Sequence, residues 1–249
     1  MIANRERRRL PAVAILLVAG AAWGAVVERS PGMPSAPGTM GLGLGAFLVF
    51  WTVMMAAMML PSATWAATAY ASLPGRSGPA VRVAGLVAGY LLAWAAVGVV
   101  AYAVADAVGR AAAGHGGATE RAGAGVLVAA GIYQLTPLKD RCLRRCRSPV
   151  GTLIRAAGSG RAGHLRAGLA HGGYCVGCCA GLMAALIALG MMDLRWMAVF
   201  AGVVALEKNW THGRGVATAA AVALVALGAA ALIDPGIVPG FHAAPMGGM

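Results

Sequence analysis

The sequence predicts an all-α integral membrane protein, a bundle of about seven (six to seven) transmembrane helices. The 249-residue chain is 59% hydrophobic and only 11% charged, with a mean hydropathy of +0.74. A soluble domain has roughly 25% charged residues, so this chain lacks the polar surface of a soluble domain. Its apolar residues form separate runs that approach the ~20 residues a helix needs to cross a bilayer. The alternating ~10-residue segments of a strand barrel are not seen in the sequence.

Seven apolar segments are expected to cross the membrane. Their ranges are 10–27, 43–60, 82–105, 122–137, 175–192, 194–210 and 215–233. The first follows the basic stretch NRERRR and is expected to be an uncleaved anchor; cleavage as a signal peptide would leave six spans. Only the charged sequence MDLR joins the fifth and sixth segments, which predicts a tight hairpin because Asp193 and Arg195 are costly inside a bilayer.

Basic residues predict the orientation of the chain. Of the twenty lysines and arginines behind the net charge of +12, sixteen lie on the same side as the N-terminus. The other four are Arg29, Arg110, Arg121 and Arg195. This bias predicts a multi-pass protein of the bacterial inner membrane, with the N-terminus in the cytoplasm and the C-terminus outside. Since orientation accounts for the charge and no phosphate loop or basic-aromatic patch appears, no nucleic acid partner is expected.

Residues 1–233 are predicted to form a single polytopic domain, and 234–249 a flexible outer tail. The longest connection, 138–174, follows Pro137 and is expected to be a basic cytoplasmic loop. At the inner end of the sixth span, Glu207 and Lys208 are expected to snorkel and pair rather than to couple protons.

Glycines at a spacing of four predict close helix packing. They are Gly173, Gly177 and Gly181 around the start of the fifth span, and Gly85 and Gly89 on the third. This pattern predicts that the fifth span is central in the bundle.

All five cysteines lie within one part of the chain. Cys142 and Cys146 share one face of a helix by their i, i+4 spacing, and Cys175, Cys178 and Cys179 do the same at the expected start of the fifth span. The predicted orientation places both groups at the cytoplasmic surface, where thiols stay reduced. Five reduced thiols favour ligation of a soft metal over disulfides. The alternative is that they pack as small hydrophobic side chains.

Thioether sulfurs extend this set of soft ligands. The second span carries Met54, Met55, Met58 and Met59 along one face, and Met183 lies one turn beyond Cys179. Alone, the methionines of the second span are typical of ordinary packing. Beside thiolates they favour Cu(I). His171, four residues before Cys175, is a further candidate ligand.

Four motifs in order resemble a bacterial family of predicted metal-binding integral membrane proteins, known as a domain of unknown function. They are MMAAMMLPS, YQLTPLKDRCLRRCRSP, HGGYCVGCCAGLM and GMMDLRWMAVFAGVVALEKNW, which cover most of residues 51–210. Ala180 and Asp193 stand where this family is expected to have tryptophan and asparagine. The resemblance implies that the five cysteines belong to one metal-binding function, and it implies no established activity.

These observations predict a membrane protein that binds Cu(I), with zinc as the alternative metal, and acts in metal transfer, delivery or homeostasis. Its expected partners are the lipid bilayer, the metal ion, and a membrane subunit or a metal-accepting protein. No catalytic residue is predicted, and enzyme activity is not expected. Two other hypotheses stay open: a thiol-disulfide oxidoreductase using Cys175 and Cys178, and a non-catalytic subunit of a larger membrane complex.

Overall fold

The computed structural model describes residues 2–30, 38–73, 77–114, 116–156, 160–238 and 241, and this part of the chain is helical. The helices are α1 (Ile2–Arg29), α2 (Leu44–Ala71), α3 (Pro79–Gly114), α4 (Gly116–Gln134), α5 (Pro137–Arg147), α6 (Val150–Ala156), α7 (Gly160–Leu189), α8 (Leu194–Asn209) and α9 (Gly213–Ala231). A 3-10 turn follows at Pro235–Ile237. The all-α prediction is confirmed for the described residues, and most of the predicted tail 234–249 lies outside them.

Within the described residues, five helices are long and apolar enough to cross a membrane. These segments are Leu10–Arg29, Leu44–Ala71, Pro79–Ala113, Gly160–Leu189 and Gly213–Ala231. The predicted count of six to seven spans is therefore wrong by this criterion. Helix α8 has only 16 residues, and α4 contains several glycines and the charged residues Glu120 and Arg121.

The connection predicted as the loop 138–174 contains helices α5 and α6 and the first half of α7. Pro137 does not lie in the fourth span, because α4 ends at Gln134 and Pro137 occupies the first turn of α5. The Thr136 hydroxyl caps α5 by accepting a hydrogen bond from the Lys139 backbone N–H at 3.3 Å, which is a typical helix start. The basic composition that suggested a loop therefore belongs to helices with arginine on their exposed faces.

Glycines bring α3 and α7 into backbone contact. A Cβ atom added at Gly89 would lie 2.1 Å from the Leu165 carbonyl oxygen, and one at Gly168 would lie 2.1 Å from the Leu86 carbonyl oxygen. Only glycine leaves room for this approach. The predicted packing role of Gly89 is thus found, whereas on α7 the closest contact is at Gly168 and not at Gly173, which has no atom within 4 Å of such a Cβ.

The glycine contacts also give the direction of the helices. Gly85 meets His164 and Gly172 meets Ala93, so α3 and α7 run parallel. A chain that leaves α3 and enters a parallel α7 has to return between them. In the described part of that connection only α4, with 19 residues or about 28 Å, is long enough to make the return.

The hairpin of α7 and α8 turns at residues 190–193. Gly190 has a φ of +99°, a left-handed conformation that glycine adopts without strain at the end of a helix. Asp193 then caps α8 by accepting a hydrogen bond from the Arg195 backbone N–H at 2.8 Å. The Arg195 side chain bonded to this carboxylate holds the pKa of Asp193 below its usual value. The predicted tight hairpin is therefore present.

The close crossing gives a first prediction. We expect Gly168→Ala to lower the stability of the full-length protein by about 1–3 kcal/mol, because the new methyl group overlaps the Leu86 carbonyl. Gly173→Ala is the matched control on the same helix, with open space around its Cβ. Thermal unfolding midpoints in detergent measure both. Equal midpoints for the two variants would contradict the backbone contact between α3 and α7.

Candidate metal centre

The two cysteine groups meet where α5 packs against α7. The Sγ atoms of Cys146, Cys175 and Cys178 all lie within 4.8 Å of one another, and the three side chains are buried. Residues that are 29 and 32 positions apart in the sequence thus form one cluster, named here the three-thiol cluster. In the part of the chain that the structure describes, no other group of three His, Cys, Asp or Glu ligand atoms comes this close.

Helical periodicity places these thiols on facing surfaces. Cys175 and Cys178 lie three residues apart on α7, and the Cys178 Sγ contacts the Cys175 carbonyl oxygen at 3.2 Å. Sequence analysis placed this group at the start of a helix, but Cys175 lies halfway along the 30-residue α7. The three cysteines of α7 are therefore buried within the bundle rather than exposed at a helix end.

The remaining two cysteines flank the cluster. The Cys179 Sγ lies 3.6 Å from the Cys178 Sγ and is buried. Cys142 is half-buried, and its Sγ packs so closely on Gly177 that a Cβ at position 177 would lie 2.7 Å away. All five cysteines are free thiols in the structure.

Lys208 is the nearest cation to the cluster, and sequence analysis gave it no role there. Its buried Nζ donates hydrogen bonds to the Cys175 Sγ at 2.9 Å and to the Ser62 hydroxyl at 3.1 Å. The expected snorkelling of Lys208 and its pairing with Glu207 are not found. Lys208 thus places a buried positive charge directly against the Cys175 sulfur.

Glu207 has a separate cation of its own. Its carboxylate accepts hydrogen bonds from Lys139 Nζ at 2.7 and 2.8 Å, and from the Gln134 amide at 3.1 Å. Lys139 and Glu207 are 1% and 2% exposed, so this ion pair is almost fully removed from solvent. It fixes α5 against α8, and α5 carries Cys146 towards α7.

Tyr90 contacts the cluster, and His171 packs on Tyr90. The Tyr90 hydroxyl lies 2.9 Å from the Cys175 Sγ, and the His171 ring stacks on Tyr90 with 5.8 Å between centroids. His171 is buried, and within the described residues its Nδ1 has no hydrogen-bond partner. The predicted ligand His171 is therefore one aromatic ring away from the thiols, and it is not one of the three clustered ligands.

The predicted methionine ligands are buried inside the helical bundle. Met54, Met55, Met58 and Met59 are each no more than 2% exposed, and Met183 is 5% exposed. One helical turn after Met58, Ser62 donates a hydrogen bond to the Met59 carbonyl at 2.8 Å and accepts one from Lys208. Because Lys208 also contacts Cys175, Ser62 joins α2 to the cluster, although its own bond is to the Met59 backbone carbonyl and not to a methionine sulfur.

The geometry of the three-thiol cluster fits a soft metal ion. Metal–sulfur bonds of about 2.3 Å separate three sulfurs around one ion by roughly 4 Å, and the cluster is within 4.8 Å. A hydrogen bond with Cys175, together with burial, raises the pKa of the Cys146 thiol to about 12. A thiol has to lose its proton before it ligates a metal.

The sequence patterns singled out the five cysteines but did not indicate Tyr90, Lys139 or the contact of Lys208 with Cys175. The available signal was the occurrence of Glu207 and Lys208 in an apolar segment, since ionisable residues in such segments mark functional sites. Their partners lie 68 and 33 residues away, a separation that spacing alone does not reveal.

The model of one protein family, described as the copper chaperone PpoB2, matches residues 48–231. No curated protein and no solved structure matches the chain. The family match confirms a metal-related bacterial family, but it describes that family by copper rather than as one of unknown function, and it does not bear on the membrane. Since the matched segment covers most of the chain and includes all five cysteines, this chain belongs to the PpoB2 copper chaperone family.

Proposed function

We propose that this protein is a membrane-embedded chaperone that binds Cu(I) at the three-thiol cluster and hands it to a metal-accepting partner. The observation that carries the proposal is the convergence of Cys146, Cys175 and Cys178 within 4.8 Å. The family match to copper chaperones agrees with this reading. The copper ion is then what the protein carries, and not a resident cofactor.

The ligand set favours a soft ion such as Cu(I). No carboxylate or imidazole of the described residues joins the three clustered sulfurs, and the adjacent Cys179 adds a further thiol at 3.6 Å from the Cys178 Sγ. Thiolate and thioether ligands select Cu(I) over harder ions. We propose the buried methionines of α2 as weaker sulfur ligands from which the ion leaves more easily, since Ser62 of the same helix contacts Lys208 beside the cluster.

Charge balance supports the same reading. Three thiolates around one Cu(I) carry a net negative charge, which is costly in a buried site without a compensating cation. Lys208 supplies that cation at 2.9 Å from Cys175. An ordinary core of packed cysteines would give no reason to bury an ammonium group among them.

A lipid bilayer is the environment that suits the outer surface. Five described helices meet the length and composition of membrane spans, and large apolar side chains such as Leu17, Val100, Ile132 and Val222 are exposed on them and on α4. We infer an inner-membrane protein with the N-terminus in the cytoplasm, because the arginines of α5 then face the cytoplasm together with the N-terminal arginines. The parallel α3 and α7 agree with this orientation if α4 returns through the bundle.

The first test is copper binding by the purified full-length protein under reducing conditions. We expect roughly one tightly bound copper per chain, and less than about a tenth of that after Cys146→Ser, Cys175→Ser and Cys178→Ser are combined, since the soft ligands are lost. Cys142→Ser is the matched control, because Cys142 lies outside the three-thiol cluster. Metal analysis after gel filtration measures all three proteins. Equal copper in the wild type and the triple variant would refute the proposed site.

The second test addresses Lys208. We expect Lys208→Gln to weaken Cu(I) binding by roughly 10–100-fold, the usual effect of removing a group that supports a metal ligand. Competition with a coloured Cu(I) chelator measures the affinity. Ser62→Ala is the control, since it removes the other partner of Lys208 without changing charge. If both variants bind Cu(I) as tightly as the wild type, Lys208 does not balance the charge of the bound ion.

A further inference from the structure

A groove of about 640 Å³ opens on the surface between α5 and α7. Its walls include Arg141, Arg144 and Arg145 of α5 and Tyr174 of α7, and Cys142 lies in its lining. Sites of roughly 300–1,000 Å³ accommodate small ligands. The groove therefore combines one accessible thiol with three guanidinium groups in a space suited to a small molecule.

The three arginines differ in how they are held. Arg145 donates to the Tyr174 hydroxyl at 3.1 Å and stacks over its ring at 5.5 Å. Arg144 forms an ion pair with Asp140. Arg141 is exposed and forms no ion pair or hydrogen bond within the described residues. Arg145, which is held by Tyr174, and Arg141, which has no such partner, lie beside the same thiol. They suit a ligand with carboxylate groups, because arginine binds carboxylates in a bidentate geometry.

Cys142 connects this groove to the buried thiols. It is half-buried, whereas Cys146, one helical turn further along α5, belongs to the three-thiol cluster. The Cys142 Sγ packs directly on Gly177, the residue next to Cys178. A ligand bound to Cys142 therefore lies one helical turn from Cys146 and next to the part of α7 that carries Cys178.

We propose that this groove is a loading site, where a small carboxylate-bearing thiol that carries Cu(I) docks and exchanges the ion with Cys142. The proposal rests on the proposed copper function and adds the chemical class of the donor. The arginines recognise the carboxylates, and Cys142 accepts the metal before Cys146 and Cys178 take it into the buried cluster.

The exchange step balances without an oxidant or reductant. The carrier presents Cu(I) between two of its thiolates. A bond forms between Cu(I) and the Cys142 Sγ, and one bond between Cu(I) and a carrier sulfur breaks. The Cys142 proton passes to the departing thiolate, which leaves as a thiol. Copper remains Cu(I), and a second exchange of the same kind moves it to Cys146 or Cys178.

The test compares two carriers that differ in charge. Full-length protein in detergent is mixed with Cu(I) held by glutathione, a tripeptide thiol with two carboxylates, or by uncharged 2-mercaptoethanol. Copper retained after rapid desalting is followed with time. We expect Cys142→Ser to slow transfer from both carriers by roughly tenfold or more while the final copper content stays the same, because the first ligand of the exchange is missing.

The arginine variants test recognition of the carrier. We expect Arg141→Gln to slow transfer from glutathione roughly two- to fivefold, the effect of losing one exposed ion pair, and to leave transfer from 2-mercaptoethanol unchanged. Arg166→Gln is the matched control, an exposed arginine on α7 outside the groove lining. It is expected to transfer copper at the wild-type rate from both carriers.

Two results would overturn the loading site alone. One is a wild-type rate for Cys142→Ser, and the other is an equal slowing by Arg141→Gln and Arg166→Gln, which would reflect net charge only. If the wild type takes up no copper from either carrier, the proposed copper function fails and the loading site fails with it. The final copper content thus separates the two proposals.

Discussion

A buried ammonium group requires a negative partner, and Lys208 finds one in a sulfur atom instead of a carboxylate. Its Nζ contacts the Cys175 Sγ and the Ser62 hydroxyl, so a single side chain of α8 joins α7 and α2. The preceding residue, Glu207, pairs instead with Lys139 of α5. Removing one partner from a buried pair of this kind costs about 3–5 kcal/mol. Two consecutive residues of α8 therefore direct opposite charges towards different helices.

These two contacts determine where the thiols lie. The Lys139–Glu207 pair fixes α5, which carries Cys146, and the Lys208 contact fixes α7 at Cys175. Gly89 and Gly168 allow α3 to approach α7 closely, which brings the Tyr90 hydroxyl within 2.9 Å of the same sulfur. Cys175 is thus supported by groups from two neighbouring helices. Such support orients a metal ligand and limits the reorganisation needed when the ion binds.

A chaperone has to hold its ion firmly and still release it. In the proposed function, different thiols of the described structure serve the binding and the exchange of the ion. The three-thiol cluster is buried beside Lys208, while the half-buried Cys142 lines a groove together with three arginines. Thiolates bind Cu(I) strongly. In the proposed function, the cluster retains the ion and Cys142 receives it at the groove.

Much of this architecture follows from local sequence patterns. The spacing of Cys142 and Cys146, and of the three cysteines of α7, predicted which thiols share a helix face, and the soft ligands predicted the class of metal. The helical character of 138–174 was missed because arginine and glycine suggested a loop, although capping by Thr136 and packing of Gly168 stabilise helices there.

The partners of the buried charges could not be predicted from the sequence. Glu207 and Lys208 are adjacent, which suggested mutual pairing, but successive residues on a helix point in different directions and do not face each other. Which helix lies on each side is decided by tertiary packing. The span count failed for a local reason. Helix α8 has only 16 residues, and α4 is less apolar, with several glycines and the charged residues Glu120 and Arg121.

X-ray absorption at the copper edge of the copper-loaded full-length protein tests the central claim most directly. The account predicts an edge typical of Cu(I) and a first shell of about three sulfur atoms at roughly 2.3 Å. A first shell made mainly of nitrogen or oxygen, or an edge typical of Cu(II), would contradict a Cu(I) site built from Cys146, Cys175 and Cys178.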